Sequence, residues 1–163
     1  MKKIFVYSKE EILKLIELNN WDIDTLKNSN ISLISINNTI DEFDTDLDDW
    51  TTEFLFSNSK LNIDEGENII SLRVKDDSED FSPEMARSII NFILKNKEKD
   101  FYIHCIMGKS RSQAVAKFIL DTWPDNYIYA RGIENPLKTP NYHILSTLKR
   151  VWRFEFEDKN TSV

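Results

Sequence analysis

The chain has 163 residues and a formal net charge of −7 at pH 7, and 40% of its residues are hydrophobic. These values favour one folded domain over residues 1–163. They exclude global disorder and argue against a general affinity for nucleic acid or anionic lipid. The single cysteine, Cys105, excludes an internal disulfide and a cysteine-rich zinc site. No apolar run is long enough to span a membrane, and the N-terminus lacks the apolar stretch of a secretory signal. We therefore expect a cytoplasmic protein without a membrane partner.

The first half of the chain predicts strands separated by polar segments. Residues 4–7 form a short β-prone run, and Ser8-Lys9-Glu10-Glu11 has the capping-box pattern that begins a helix. Residues 37–50 are rich in Asn and Asp and predict an exposed loop. Further short apolar runs predict strands at residues 31–36, 53–56 and 69–74.

In the second half of the chain, predicted helices lie on both sides of one predicted strand. Ser82-Pro83-Glu84 supplies an N-cap, a proline at the first helical position and an acid in the first turn. Residues 101–105 predict a buried strand, and the helix after it ends before Pro124. Asn141 predicts the cap of a last helix that runs through Arg150. This alternation predicts an α/β domain with a central, mostly parallel twisted sheet flanked by helices.

The most informative segment joins the strand at residues 101–105 to the helix that follows. It reads His104-Cys105-Ile106-Met107-Gly108-Lys109-Ser110-Arg111-Ser112. A short loop that ends at a helix N-terminus can direct its backbone N–H groups toward one point and bind phosphate or sulfate. Gly108 permits a tight turn close to the anion, and the planar guanidinium of Arg111 can bind two phosphate oxygens.

The same surroundings favour the thiolate form of Cys105. A thiolate at an anion site is a nucleophile toward phosphorus and would form a phosphocysteine intermediate. Ser112 can donate a hydrogen bond to the sulfur and help it to leave when water attacks that intermediate. The segment therefore predicts phosphate ester hydrolysis without a metal or another cofactor.

This segment resembles the His-Cys-x5-Arg signature of the cysteine-dependent protein phosphatases, and it looks most like their dual-specificity branch. Residues 69–150 can be matched with the motifs of that family, whereas residues 1–68 match only in general layout. The resemblance implies a dual-specificity-phosphatase-like fold and a phosphorylated protein as the substrate.

A second stretch, from Ala130 to Leu145, is similar to the Arg-Pro…Pro-Asn…Leu segment of the family. It departs from that pattern at Gly132, where the family usually has proline, and by a few extra residues before Asn141. Within this stretch, Arg131 is expected to form a salt bridge that braces a loop.

The resemblance implies a role for each residue of the main motif. Cys105 would be the nucleophile and Arg111 the phosphate clamp. His104 would brace the loop from behind without acting as a general base, and Asn141 would cap the last helix and support the loop. The phosphate-binding loop would consist of Ile106, Met107, Gly108, Lys109, Ser110 and Arg111.

The family also uses an aspartate, located on a loop well before the cysteine, as the general acid that protonates the leaving oxygen. Asp76 and Asp77 lie 29 and 28 residues before Cys105. Side chains on one face of a strand repeat every second residue, and Asp76 continues the parity of Leu72 and Val74. Asp76 is therefore the predicted acid, with Asp77 as the alternative.

Three functions remain open at this point. The leading one is hydrolysis of phosphotyrosine, with phosphoserine and phosphothreonine as further substrates, in proteins. The same chemistry would serve phosphoinositides or the 5′-triphosphate end of RNA, which Lys109 favours and the acidic net charge disfavours. An inactive phosphate-binding module is the third, and the intact motif argues against it. The sequence predicts no particular oligomeric state.

Overall fold

The computed structural model describes residues 1–38, 63–75, 80–131 and 140–157, and the strands within the first three of these ranges form one sheet. The sheet has six strands in the order β3-β4-β2-β5-β1-β6. Every pair is parallel except β3 with β4, which is antiparallel. The strands are β1 (Lys2–Ser8), β2 (Ile31–Asn37), β3 (Ile63–Glu65), β4 (Ile69–Arg73), β5 (Asp100–Cys105) and β6 (Tyr127–Arg131).

Five α-helices connect and cover these strands within the same ranges. They are α1 (Lys9–Asn19), α2 (Ile23–Lys27), α3 (Pro83–Lys95), α4 (Arg111–Thr122) and α5 (Tyr142–Val151), and a π-helical segment, Trp152–Phe156, continues α5. None of the helices in the described ranges combines the length and the apolar character that crossing a bilayer requires.

Three helix starts follow the capping chemistry that the sequence predicts. The Ser8 hydroxyl accepts a hydrogen bond from the Glu11 N–H at 3.2 Å, and the Glu11 carboxylate accepts one from the Ser8 N–H at 3.0 Å. Ser82 caps α3 in front of Pro83. The Asn141 side chain accepts from the backbone N–H at the third residue of α5, at 3.0 Å. All three predicted caps are confirmed.

The core lies on both faces of the sheet because side chains alternate along each strand. Ile4 and Val6 of β1 and Ile34 of β2 belong to the larger cluster, which includes residues of α3, α4 and α5. Tyr7 of β1 and Leu33 of β2 belong to a smaller cluster with residues of α1 and α2. The predicted α/β architecture, a mostly parallel sheet flanked by helices, is therefore confirmed.

The parallel register brings the carboxyl ends of four strands to one edge of the sheet. Ser8 of β1 lies opposite Cys105 of β5, and Ser35 of β2 lies opposite His104. Asn37, at the end of β2, lies opposite Arg73, at the end of β4. Polar residues from the first half of the chain thus surround the end of the cysteine-bearing strand.

Three elements were not predicted from the sequence. Strand β3 has only three residues, β6 is a largely exposed edge strand, and α2 has only five residues, so none shows a clear apolar period. The predicted strand at residues 53–56 lies outside the described residues. The predicted loop at residues 37–50 starts one residue too early, because Asn37 still belongs to β2. Residues 39–50 lie outside the described ranges.

Candidate active site

The loop after β5 is held from three sides by hydrogen bonds to its backbone carbonyls. The Lys9 N–H donates to the Ile106 carbonyl at 3.1 Å, and the Asn141 N–H donates to the Ser110 carbonyl at 3.0 Å. The amide of Gln113 donates to the Gly108 carbonyl at 2.8 Å. Three carbonyls of the loop are thus bonded to groups outside it, which fixes the loop backbone at the end of β5.

Gly108 is required by the local backbone. Its φ is +71°, in the left-handed region that side chains with a Cβ avoid. A Cβ at this position would lie 3.0 Å from backbone atoms of Tyr7 and Ser8. The end of β1 therefore packs directly against the loop, and the turn depends on a residue without a side chain.

The Cys105 sulfur receives two contacts from the loop and the helix. The Gly108 N–H donates to Sγ at 3.2 Å, and the Ser112 hydroxyl lies 3.0 Å from the same atom. Cys105 is only 2% exposed, and Ser112 is fully buried. A thiolate has no hydrogen, so in that state the serine hydroxyl is the donor. Both contacts stabilise negative charge on the sulfur.

Arg111, the first residue of α4, is anchored through one nitrogen of its guanidinium. Nη1 donates to the Val74 carbonyl at 2.7 Å and to Oδ1 of Asn38 at 3.0 Å. Arg111 is 5% exposed, and its buried Nε has no hydrogen-bond partner among the described residues. A buried donor without an acceptor destabilises a folded protein, so Nε is a candidate donor to a bound oxyanion.

His104 lies in a buried hydrogen-bond chain behind the loop. Its Nδ1 lies 3.3 Å from the Cys105 carbonyl, which can only accept, so Nδ1 carries the hydrogen. Nε2 then accepts from the Ser35 hydroxyl at 2.6 Å, and Ser35 accepts from the Asn37 amide at 3.0 Å. Burial, reinforced by the nearby positive charges of Lys9 and Arg111, lowers the pKa of His104 to about 4. At neutral pH this histidine is uncharged and braces the loop.

The buried charges in the described part of the chain are all positive. Lys9, Arg73 and Arg111 are each about 5% exposed, and none of the described acidic residues is buried. Arg73 donates from Nη1 to the Asn38 carbonyl at 3.3 Å, so it shares Asn38 as a hydrogen-bond partner with Arg111. Lys9 follows Ser8, which lies opposite Cys105 in the sheet. The three buried cations of the described residues therefore lie at the same edge of the sheet as Cys105.

The other predicted loop residues differ in exposure. Met107 and Lys109 are exposed, and Ile106 is half-buried. Ser110 is also half-buried and precedes α4 without a side-chain capping bond. Lys109 therefore lies on the surface of the loop, where it can add positive potential.

The predicted salt bridge of Arg131 is confirmed. Its Nη2 lies 2.6 Å from a carboxylate oxygen of Glu11, and its guanidinium lies over the Tyr7 ring at 4.7 Å from the ring centroid. This contact joins β6 to the start of α1. The two candidate acids, Asp76 and Asp77, lie outside the described residues.

The sequence interpretation missed several residues of this edge, including Asn38, Arg73 and Gln113. A usable signal exists for Asn38, because Asn37 and Asn38 directly follow an apolar strand, the position where side chains reach the carboxyl edge of a parallel sheet. Gln113 is fully buried inside α4, and no local pattern distinguishes it from an exposed helical glutamine.

Among the described residues, no group of three His, Cys, Asp or Glu side chains is arranged to hold a metal ion. Comparisons of this chain with protein-family models, with curated proteins and with solved structures found no match.

Proposed function

We propose that this protein is a cysteine-dependent phosphatase. It hydrolyses phosphate monoesters in phosphorylated proteins, phosphotyrosine first and phosphoserine or phosphothreonine as further substrates. One observation carries the proposal: the Cys105 sulfur lies within hydrogen-bond distance of the Gly108 N–H and the Ser112 hydroxyl, beside a loop that ends at Arg111, whose Nε has no partner in the described part of the chain. A nucleophile, an anion-binding loop and a guanidinium donor thus occur together.

In the proposed first step, the Cys105 thiolate attacks phosphorus. The sulfur–phosphorus bond forms while the bond to the leaving oxygen breaks, and Asp76 gives that oxygen a proton. Arg111 and the loop N–H groups hold the equatorial phosphate oxygens, where charge is concentrated in the transition state. The leaving group departs as the neutral phenol or alcohol.

In the second step, water attacks the phosphocysteine and the carboxylate formed at Asp76 takes its proton. The products are inorganic phosphate and the thiolate, and Ser112 donates a hydrogen bond to the departing sulfur. The contact of 3.0 Å between the two side chains supports this role. The chemistry uses no metal or other cofactor.

The finer fold assignment, a dual-specificity-phosphatase-like domain over residues 1–163, is part of the same proposal. It is supported by the position of the cysteine loop between β5 and α4. It is also supported by the Val74 carbonyl, which accepts from Arg111 two residues before Asp76 in the sequence. The chain that leads to the proposed acid therefore passes beside the phosphate clamp. We place the protein in the cytoplasm, where its free thiol stays reduced.

A second substrate class is suggested by the basic residue of the loop. Lys109 is exposed, and a basic residue in the loop suits substrates with more than one phosphate. Phosphoinositides and the 5′-triphosphate end of RNA are therefore the alternative substrates of the same chemistry.

The experiment is a hydrolysis assay on the purified chain with nitrophenyl phosphate in the presence of EDTA. A panel of phosphopeptides, phosphoinositides and 5′-triphosphate RNA then ranks the substrate classes by kcat/KM. We expect turnover that survives EDTA and that Cys105→Ser abolishes, with phosphotyrosine peptides as the best substrates. Phosphate binding without any turnover would instead show an inactive binding module, and loss of turnover in EDTA would contradict the metal-free mechanism.

A further inference from the structure

Asn38 lies in the Asn- and Asp-rich segment predicted as an exposed loop, far from the cysteine motif, yet it contacts both buried arginines of the site. Its side-chain oxygen accepts from Nη1 of Arg111 at 3.0 Å, and its backbone carbonyl accepts from Nη1 of Arg73 at 3.3 Å. Asn38 directly follows β2, and Arg73 ends β4. One residue therefore joins two guanidinium groups at the carboxyl edge of the sheet.

The backbone around Asn38 is well fixed. The preceding residue, Asn37, lies opposite Arg73 in the parallel ladder, and its carbonyl accepts from the Val74 N–H at 3.0 Å. The Val74 carbonyl is the second acceptor for Arg111, at 2.7 Å. The two groups that hold Nη1 thus come from neighbouring strand ends that are bonded to each other, so their spacing is set by the sheet.

We propose that Asn38 is the positioning residue of the phosphate clamp, and that it orients Arg111 with a neutral oxygen so that the full positive charge stays available for the phosphate. The inference rests on the proposed function and adds a residue to its machinery. Two acceptors on Nη1 fix the plane of the guanidinium. Its Nε, on the other side of the group, has no partner within the described ranges.

The neutral character of this acceptor is the central part of the inference. Both hydrogen-bond partners that the structure gives Arg111 within the described residues, a peptide carbonyl and an amide, are uncharged. A carboxylate at the half-buried position 38 would keep the hydrogen bond and the shape of the side chain, but it would attract the buried guanidinium of Arg111 strongly. It would also repel a phosphate dianion held by the same arginine.

Two variants separate orientation from charge. Asn38→Ala removes the hydrogen bond and lets the guanidinium rotate, whereas Asn38→Asp keeps the acceptor and adds a negative charge. The matched controls lie at the opposite edge of the sheet. Asn68→Ala removes a buried amide that bonds to the carbonyls of Leu26 and Ile31 at 3.4 Å, and Asn126→Asp adds the same charge at an exposed position.

The measurements are the dissociation constant of inorganic phosphate by calorimetry, kcat and KM for nitrophenyl phosphate, and the thermal unfolding temperature. We expect Asn38→Asp to weaken phosphate binding by about tenfold or more without lowering the unfolding temperature. Asn38→Ala should lower kcat/KM by about tenfold in the wild-type chain and have little further effect in an Arg111→Lys chain, because both changes disturb the same interaction. The controls should retain wild-type phosphate binding.

A purely structural role for Asn38 predicts a different result. If Asn38→Asp binds phosphate as tightly as Asn126→Asp does, the inference is overturned, and this isosteric variant decides the matter even if Asn38→Ala does not fold. If the wild-type chain neither binds phosphate nor hydrolyses nitrophenyl phosphate, the proposed function itself fails and the inference falls with it. The two failures are therefore distinguishable.

Discussion

Replacing Gly108 by alanine tests whether the loop geometry holds the nucleophile. The residue has a φ of +71°, and its added Cβ would lie 3.0 Å from the carbonyl carbon and oxygen of Tyr7 and from the nitrogen of Ser8. These are backbone atoms of a central strand, so they cannot move aside as the end of a flexible side chain could. The loop itself must shift, and with it the N–H that donates to Cys105 at 3.2 Å.

The size of the effect follows from these contacts. A left-handed backbone at a residue with a Cβ costs about 1–2 kcal/mol, and overpacking typically adds about 1–3 kcal/mol. The free energy of unfolding should therefore fall by about 2–5 kcal/mol, which a domain of ordinary stability tolerates at low temperature. In the proposed mechanism the sulfur reacts as a thiolate, and loss of a hydrogen bond to such a group, about 1.5–3 kcal/mol, lowers kcat/KM by about one to two orders of magnitude.

The assay is kcat/KM for nitrophenyl phosphate at a temperature where the variant is folded by circular dichroism. Gly66→Ala is the matched control. Its Cβ would lie 2.9 Å from the Ile69 carbonyl oxygen, but this turn lies at the opposite end of β4 from the site. It should lose stability and keep its kcat/KM. A folded Gly108→Ala variant with kcat/KM within about threefold of wild type would refute the loop argument.

Three further predictions concern charge and proton transfer. Burial lowers the pKa of His104 to about 4 from 6.5, so the unfolded chain binds the extra proton more readily. The contribution of this group to the free energy of unfolding is therefore complete above about pH 6.5. It falls by on the order of 3 kcal/mol as the pH drops to about 4, and urea unfolding measures this loss. His104→Asn should flatten that decline, and an unchanged slope would contradict the assigned state of the histidine. Arg111→Lys keeps the charge but loses the planar guanidinium that can bind two phosphate oxygens, so kcat/KM should fall by at least about a hundredfold. Near-normal rates would show that Arg111 is not the phosphate clamp. Asp76→Asn should slow phosphotyrosine and alkyl phosphates far more than nitrophenyl phosphate, whose leaving group needs little help from an acid. The same pattern in Asp77→Asn instead would exchange the two roles.

The sequence predicts those parts of the fold that depend on local chemistry. The caps Ser8, Ser82 and Asn141 satisfy helix N–H groups within three residues, so their positions can be read from short patterns. The edge strand β6 is different. It is largely exposed and, among the described strands, pairs with β1 alone, so its existence depends on a distant partner and not on its own hydrophobic pattern.

The candidate site also has one part that local sequence predicts and one part that depends on distant contacts. Cys105, Gly108, Arg111 and Ser112 lie in one short segment, and the loop geometry that joins them is local. Asn38 reaches Arg111 across 73 positions of sequence through the order of the strands in the sheet. No property of the segment around Asn38 indicates that its partner is an arginine, so this contact could be found only from the structure.

The central claim is that Cys105 attacks phosphorus and carries the phosphoryl group. The most direct measurement is rapid acid quenching of the wild-type chain during turnover of an aryl phosphate, followed by mass spectrometry of the peptide that contains the cysteine. We predict a phosphoryl group on Cys105 that accumulates within the first turnover and is absent from Cys105→Ser. Turnover by Cys105→Ser at a rate near that of the wild type, or a phosphoryl group on another residue, would contradict the account.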